Sequence, residues 1–347
     1  MKMAAFLALA GVFPAGVAMA QELPKTHLNI VGGSSNLAVY ADFEKPFWTE
    51  TIPARSNGQV TAEIKGFNEM GLKGPEILRL MSQGVIEFGT ETLAFFASDN
   101  PINEAIDLAG LAPDAQTARQ VTDAFEPVYA KFYDGGSNIK LLGISTYPAQ
   151  VLFCNAEVGS LADLKGKKVR TSSRTQADFV EAFGGVSVTM TFGEVVPALQ
   201  NKVVDCAITG SFSGYSAKWY EVSTHLYALP INWNQQIHAV NKNTWEKLDP
   251  KVRDFIQTNV RTMIDEIWAA AASQTQDGYD CNTGADACKE AVKGKMKLVE
   301  PSAEDRALLK KTFTEVVLPK WAARCSADCV ASFNDTIGKA LDITAVK

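Results

Sequence analysis

Residues 164–210 read LKGKKVRTSSRTQADFVEAFGGVSVTMTFGEVVPALQNKVVDCAITG. The run alternates strand, helix, strand, helix, strand. Residues Arg174 to Phe183 carry Ala177, Val180 and Phe183 at helical spacing and stop at Gly184-Gly185, a C-cap signal. VSVTMTF then alternates: Val186, Val188, Met190 and Phe192 fall on one face, and Ser187, Thr189 and Thr191 on the other. VVDCAITG reads as a buried strand. Strands separated by helices predict a mostly parallel sheet with right-handed crossovers. Arg170 stands where the first of these strands ends.

The same alternation extends in both directions. THLNIVGGSS, QVTAEIKGFNEMG and IEFGTETLAFFAS read as strands, with helical stretches between them. DAQTARQVTDAFEPVYAKFYD is helical, and IKLLGISTYPAQVLFCN gives two strands joined at Tyr147-Pro148. DPKVRDFIQTNVRTMIDEIWAAAASQTQ is one long amphipathic helix striped by Val252, Ile256, Val260, Met263, Ile264 and Ile267. The polar DGYDCNTGADACKEAVKGK that follows reads as a cysteine-bearing loop, and the tail is helical. Nothing repeats and no long linker interrupts. The pattern fits two α/β lobes joined by crossing strands.

The chain has 347 residues and net charge −6, enough for a large core and unsuited to nucleic acid. MKMAAFLALAGVFPAGVAMA places Lys2 before an apolar run and Ala18-Met19-Ala20 after it, the pattern of a signal cleaved after Ala20. No later run is apolar for the ~20 residues a membrane helix requires. The mature protein is therefore expected to be exported, periplasmic and not membrane-embedded.

In an oxidising compartment, Cys281, Cys288, Cys325 and Cys329 are expected to form two bridges. Local pairing is favoured, although a Cys-x3-Cys bridge inside an ideal helix would be strained. Zinc is disfavoured by the spacing and by the absence of nearby histidine. Cys154 and Cys206 are read as buried thiols and not as a third bridge.

Chemistry-bearing motifs are sparse. The three histidines, His27, His225 and His238, form no metal pair. GSFSG at Gly210–Gly214 fails as a nucleophile elbow because its centre is Phe212. No P-loop or dinucleotide fingerprint occurs. The reading is a non-enzyme without cofactor or metal. A secreted hydrolase or lyase on the same scaffold remains the rival.

Parallel sheets bind ligands beyond their strand C-termini, and Arg170 is at such an end. Ser172 and Ser173 follow it just before a helix N-terminus, where exposed N–H groups favour an anion. Thr209, Ser211 and Ser213 end the VVDCAI strand. An arginine fork with several hydroxyls suits a carboxylate. The alternative for Arg170 is a surface or interlobe salt bridge.

DLKGKKVR, FGG, TFGEVVPALQ and NKVVD, with the later AVNKNTWEKLDPKVRDFI, resemble the solute-binding proteins of tripartite ATP-independent periplasmic (TRAP) transporters. The resemblance spans most of the mature chain. It implies two lobes that close on a small organic acid, a long helix bracing both, and delivery to TRAP membrane subunits by a monomer. The implied lobes are residues 21–145 plus about 235–265, and residues 146–234 plus about 266–347. Arg170 matches the family's carboxylate-pairing arginine. Thr209 stands where many members carry an asparagine that helps hold the carboxylate. The NEMGLKG turn, Asn68 to Gly74, matches a loop in the first lobe's wall. Asn36, Glu69, Thr90 and Trp233 are further pocket candidates. Tyr147, Phe192, Phe212, Tyr215 and Trp233 fall near loop ends. Each is either core or cleft, and several in the cleft would favour an aromatic or hydrophobic acid over a sugar acid. A receptor presenting its ligand to a sensor is the alternative within binding proteins.

Overall fold

A computed structural model describes residues 23–347. The signal-peptide reading for residues 1–20 lies outside the described residues. The strands in chain order are β1 Thr26–Gly32, β2 Val60–Gly66, β3 Phe88–Thr92, β4 Ile139–Ser145, β5 Gln150–Cys154, β6 Lys168–Thr171, β7 Val186–Thr189, β8 Cys206–Gly210, β9 His225–Asn232, β10 Gln236–Asn241 and β11 Lys297–Val299. They make two sheets, ordered β2-β1-β3-β10-β4 and β11-β9-β5-β8-β6-β7.

Neither sheet is wholly parallel. β10 runs against both β3 and β4, and β5 runs against both β8 and β9; the remaining pairings are parallel. The reason is the path of the chain. β4 leaves the first sheet and the chain enters the second as β5. β9 leaves the second and the chain returns to the first as β10. Each returning strand starts at the shared edge, so Gln236 pairs with Ser145 and Gln150 with Asn232. The C-termini of nearly all strands therefore face one boundary between the sheets, where ligands of α/β sheets bind.

β5 and β8 are buried along their full length, as expected for strands covered on both faces. β7 departs from the sequence reading. It spans only Val186–Thr189 and lies at the sheet edge with Val186 exposed, so its alternation marks no buried face. One apolar cluster packs Leu142 and Val240 of the first sheet with Val151, Phe153 and Leu226 of the second. A second joins Ile139 and Ile237 to Leu152 and Ile208, under Trp321 and Phe333 of the C-terminal helices.

The helix Pro250–Thr283 has 34 residues, about 51 Å at 1.5 Å per residue. Asp249 caps its start, accepting from Lys251 N at 2.8 Å, and Gly284 at φ +80° ends it. Gln257 and Trp268 donate to the carbonyls of Leu142 and Ile144 beside the first sheet. Farther along, Thr275 accepts from Ala149 N, and Asn282 donates to the carbonyl of Ser211 in the helix Ser211–Ser216. The helix thus touches both sheets. It also runs through Asp277–Thr283, where the sequence reads as loop, because these tertiary contacts outweigh weak local propensity.

Three disulfides are present: Cys154–Cys206, Cys281–Cys288 and Cys325–Cys329. The last two are the expected local bridges. The helix breaks between Arg324 and Ala327, with Cys325 extended, so Cys325–Cys329 does not sit inside a continuous helix. The first corrects the buried-thiol reading. Cys154 and Cys206 are direct antiparallel partners with Cα atoms 4.0 Å apart, a geometry set by the reversed strand β5.

Candidate ligand-binding site

A partly open cleft lies at the boundary between the sheets. Its second-sheet wall carries Arg170, Ser172, Phe192, Thr209, Ser213 and Gln150. Its first-sheet wall carries Ser34, Leu37, Phe67, Glu91, Thr92 and Phe95, with Tyr147 and Asn234 contributed by the two crossing segments.

Arg170 is only 2% exposed. Its Nε donates to the carbonyl of Met190 at 3.2 Å and Nη1 to the carbonyl of Ile208 at 2.7 Å. Those carbonyls fix the plane of the guanidinium but carry no net charge. Arg170 makes no ion pair among the described residues. Burial lowers its pKa to about 10, with Glu194 opposing, so it remains cationic at neutral pH. A buried cation without an anionic partner is costly. Ser172 is held by Gln176, which accepts from both its backbone N and its Oγ. Ser173 caps the helix Arg174–Ala182 by accepting from Gln176 N.

The first-sheet wall carries acids. Glu91 is 3% exposed, and its Oε1 accepts from Thr92 N at 2.7 Å. Its Oε2 is buried with no hydrogen-bond partner among the described residues, as is Oδ1 of Asn234. Burial, with Glu44 adding repulsion, pushes the Glu91 carboxyl up to about 8. Glu44 lies behind it, fully buried, accepting from Gly33 N at 3.0 Å, and burial pushes it up to about 7.

One network ties the walls at the crossing segments. Gln176 donates to Asn232, Asn232 donates to Asp107, and Asp107 also accepts from the backbone N of Trp233 and Asn234.

Six of the residues singled out from the sequence thus meet in the cleft: Arg170, Ser172, Thr209, Ser213, Tyr147 and Phe192. The others are placed elsewhere. Asn36 lines a separate outer groove with Phe212 and Tyr215, whose rings stack on each other. Glu69 caps a turn, its Oε2 accepting from Gly66 N. Thr90 is turned to His238 Nδ1 at 3.1 Å. Ser211 donates to the carbonyl of Thr275. Trp233 is buried with Nε1 on the carbonyl of Ala112. Glu91, Gln150, Phe67 and Phe95 were not singled out. An acid inside the otherwise uncharged strand FGTET was the signal available for Glu91. Among the described residues no group of three or more His, Cys, Asp or Glu is placed to hold a metal ion.

The model of the bacterial extracellular solute-binding proteins, family 7, matches residues 34–323. The chain belongs to that family. Solute-binding proteins of this family are receptors located outside the cytoplasm, and no described helix is long and apolar enough to cross a membrane. The C4-dicarboxylate-binding periplasmic protein DctP of Rhodobacter capsulatus is 25% identical over 284 residues, covering 80% of this chain and 81% of DctP. The ectoine-binding periplasmic protein TeaA of Halomonas elongata is 24% identical over 206 residues. That match covers 58% of this chain and 60% of TeaA's length. A TRAP periplasmic solute-binding protein from Desulfovibrio salexigens, solved with bound orotic acid, superposes with a TM-score of 0.80 at 20% identity. It covers 91% of this chain and 100% of that one, and shares the two-lobed fold.

Proposed function

We propose that the chain captures a small organic acid between its lobes and delivers it to TRAP transporter membrane subunits, without transforming it. The observation that carries this reading is Arg170: a buried, oriented guanidinium at a cleft wall with no ion-pair partner among the described residues. A carboxylate entering the cleft neutralises that charge and accepts its remaining N–H groups. Hydroxyls of Thr209 and Ser213 stand on the same wall to donate to the remaining lone pairs. Leu37, Phe67, Phe95 and Phe192 supply an apolar lining, which favours a carbon-rich acid over a sugar acid. Relatives whose bound ligands are acids support the class. Capture works because the ligand binds the closed arrangement better than the open one. Native mass spectrometry of the purified mature protein, followed by a thermal-shift screen of organic acids, tests the reading. A bound or stabilising acid whose effect disappears in Arg170→Ala supports it. A protein that no acid stabilises, or that turns acids over, overturns it.

A further inference from the structure

The two walls of the cleft differ in hydrogen-bonding character. The second-sheet wall offers donors: Arg170, Thr209 and Ser213. The first-sheet wall and the returning segment offer acceptors that nothing satisfies, Oε2 of Glu91 and Oδ1 of Asn234. Both atoms are buried at the cleft wall. Unpaired buried acceptors cost stability, so a ligand that donates to these two at the cleft wall is favoured. A simple monocarboxylate satisfies only the donor wall. It leaves Oε2 of Glu91 unpartnered, in a carboxyl whose neighbour is a second buried acid, Glu44.

We propose that the ligand is a zwitterion, an acid whose end remote from the carboxylate carries a nitrogen cation, and that Glu91 is the residue that selects it. The carboxylate pairs with Arg170 and the N–H groups of the cation with Oε2 of Glu91. The empty cleft holds Glu91 mostly protonated at neutral pH; a bound cation draws the carboxyl into its charged form, so that each charge buried in the complex has a partner, the condition under which burial of ions is tolerated. Phe95 and Oε2 of Glu91 both border Gly74, where an added Cβ would sit 2.5 Å from the ring and 2.9 Å from the oxygen. Glu91 would act as a specificity residue: it contacts the ligand and discriminates against acids that lack the nitrogen.

The inference rests on the carboxylate reading of Arg170, and the test separates the two. Isothermal titration calorimetry would compare piperidine-4-carboxylate with cyclohexanecarboxylate, which match in shape and differ in the ring ammonium. The wild type should bind the piperidine acid more tightly by about 10-fold or more. Glu91→Gln should abolish that preference, with a cooperative thermal melt reporting that the variant is folded. Equal or tighter binding of cyclohexanecarboxylate by the wild type overturns the zwitterion inference and leaves the Arg170 reading intact. A preference that survives in Glu91→Gln overturns the role of Glu91. Binding of neither acid by the wild type overturns the inference, and the acid screen then judges the Arg170 reading by itself. Loss of whichever acid binds in Arg170→Ala supports that reading separately.

Discussion

Nη1 of Arg170 donates to the carbonyl oxygen of Ile208 at 2.7 Å, across the parallel pair β6 and β8. The contact orients the guanidinium without neutralising it. Arg170→Ala should therefore weaken acid binding by about 2–5 kcal/mol, the usual loss for one partner of a buried charge pair. Arg170→Lys should fail too, because an ammonium cannot reproduce the fork that reaches Met190, Ile208 and a carboxylate together. Stability should change little in Arg170→Ala, since lost hydrogen bonds are offset by removal of a buried charge. Calorimetry and thermal melts check both parts. Undiminished affinity with an intact fold would remove Arg170 from the site.

Burial raises Asp42 and, further, four other carboxyls in the folded chain: Glu91 to about 8, Glu44 and Glu104 to about 7, and Asp107 to about 6. In the unfolded chain each titrates near 4. The folded state therefore binds more protons than the unfolded state between those limits, and stability falls as pH rises through about 6 to 8. His238 acts in the opposite direction. Burial, with Arg261 adding, lowers it to about 3, so its contribution is present above about 6.5 and is lost as pH falls toward 3. Four acids outweigh one histidine at mildly acidic pH. Ligand-free protein should be more stable at about pH 5 than at pH 8, measured as urea midpoints. Glu91→Gln should flatten the curve above pH 7. A midpoint that rises from pH 5 to 8 would contradict this account.

Cys154–Cys206 closes a loop with a sequence separation of 52, against 7 and 4 for the other bridges. Chain entropy assigns it about 4 kcal/mol, and about 2–2.5 kcal/mol to each shorter loop. Cys154→Ala with Cys206→Ala should therefore lower the denaturation midpoint more than removal of either other pair. Acid binding should persist in that variant, because β5 and β8 remain paired by their backbones. If the short-loop bridges prove the costlier losses, loop entropy is not what these disulfides contribute.

What could be read in advance follows from how local each signal is. The strand–helix–strand rhythm around Arg170 is local, so the strand end and its capped helix were legible. The reversal of β5 and β10 is not. It depends on the chain crossing twice between the sheets, and it decides both the Cys154–Cys206 pairing and the mixed sheets. Thr90 and Glu91 illustrate the same limit within the site. They are neighbours in one strand and point opposite ways, so only the fold shows that Thr90 serves His238 while Glu91 lines the cleft.

Gly278 links the brace to the site. A Cβ there would lie 2.4 Å from both the carbonyl carbon of Ser211 and the backbone N of Phe212. Those atoms are backbone and belong to the first turn of the helix Ser211–Ser216, which carries Ser213 into the cleft. They cannot rotate aside as a side chain would, so Gly278→Ala must push the two helices apart. Overpacking of this kind costs about 1–3 kcal/mol. Asn282 bonds the carbonyl of Ser211 one turn along and would lose its alignment as the helices separate. Gly278→Ala should therefore lower the melting temperature and also weaken acid binding, by displacing Ser213 relative to Arg170. Exposed Ser273→Ala on the same helix should do neither and serves as the control. If Gly278→Ala destabilises the protein but leaves affinity unchanged, the long helix braces the lobes without setting the geometry of the cleft.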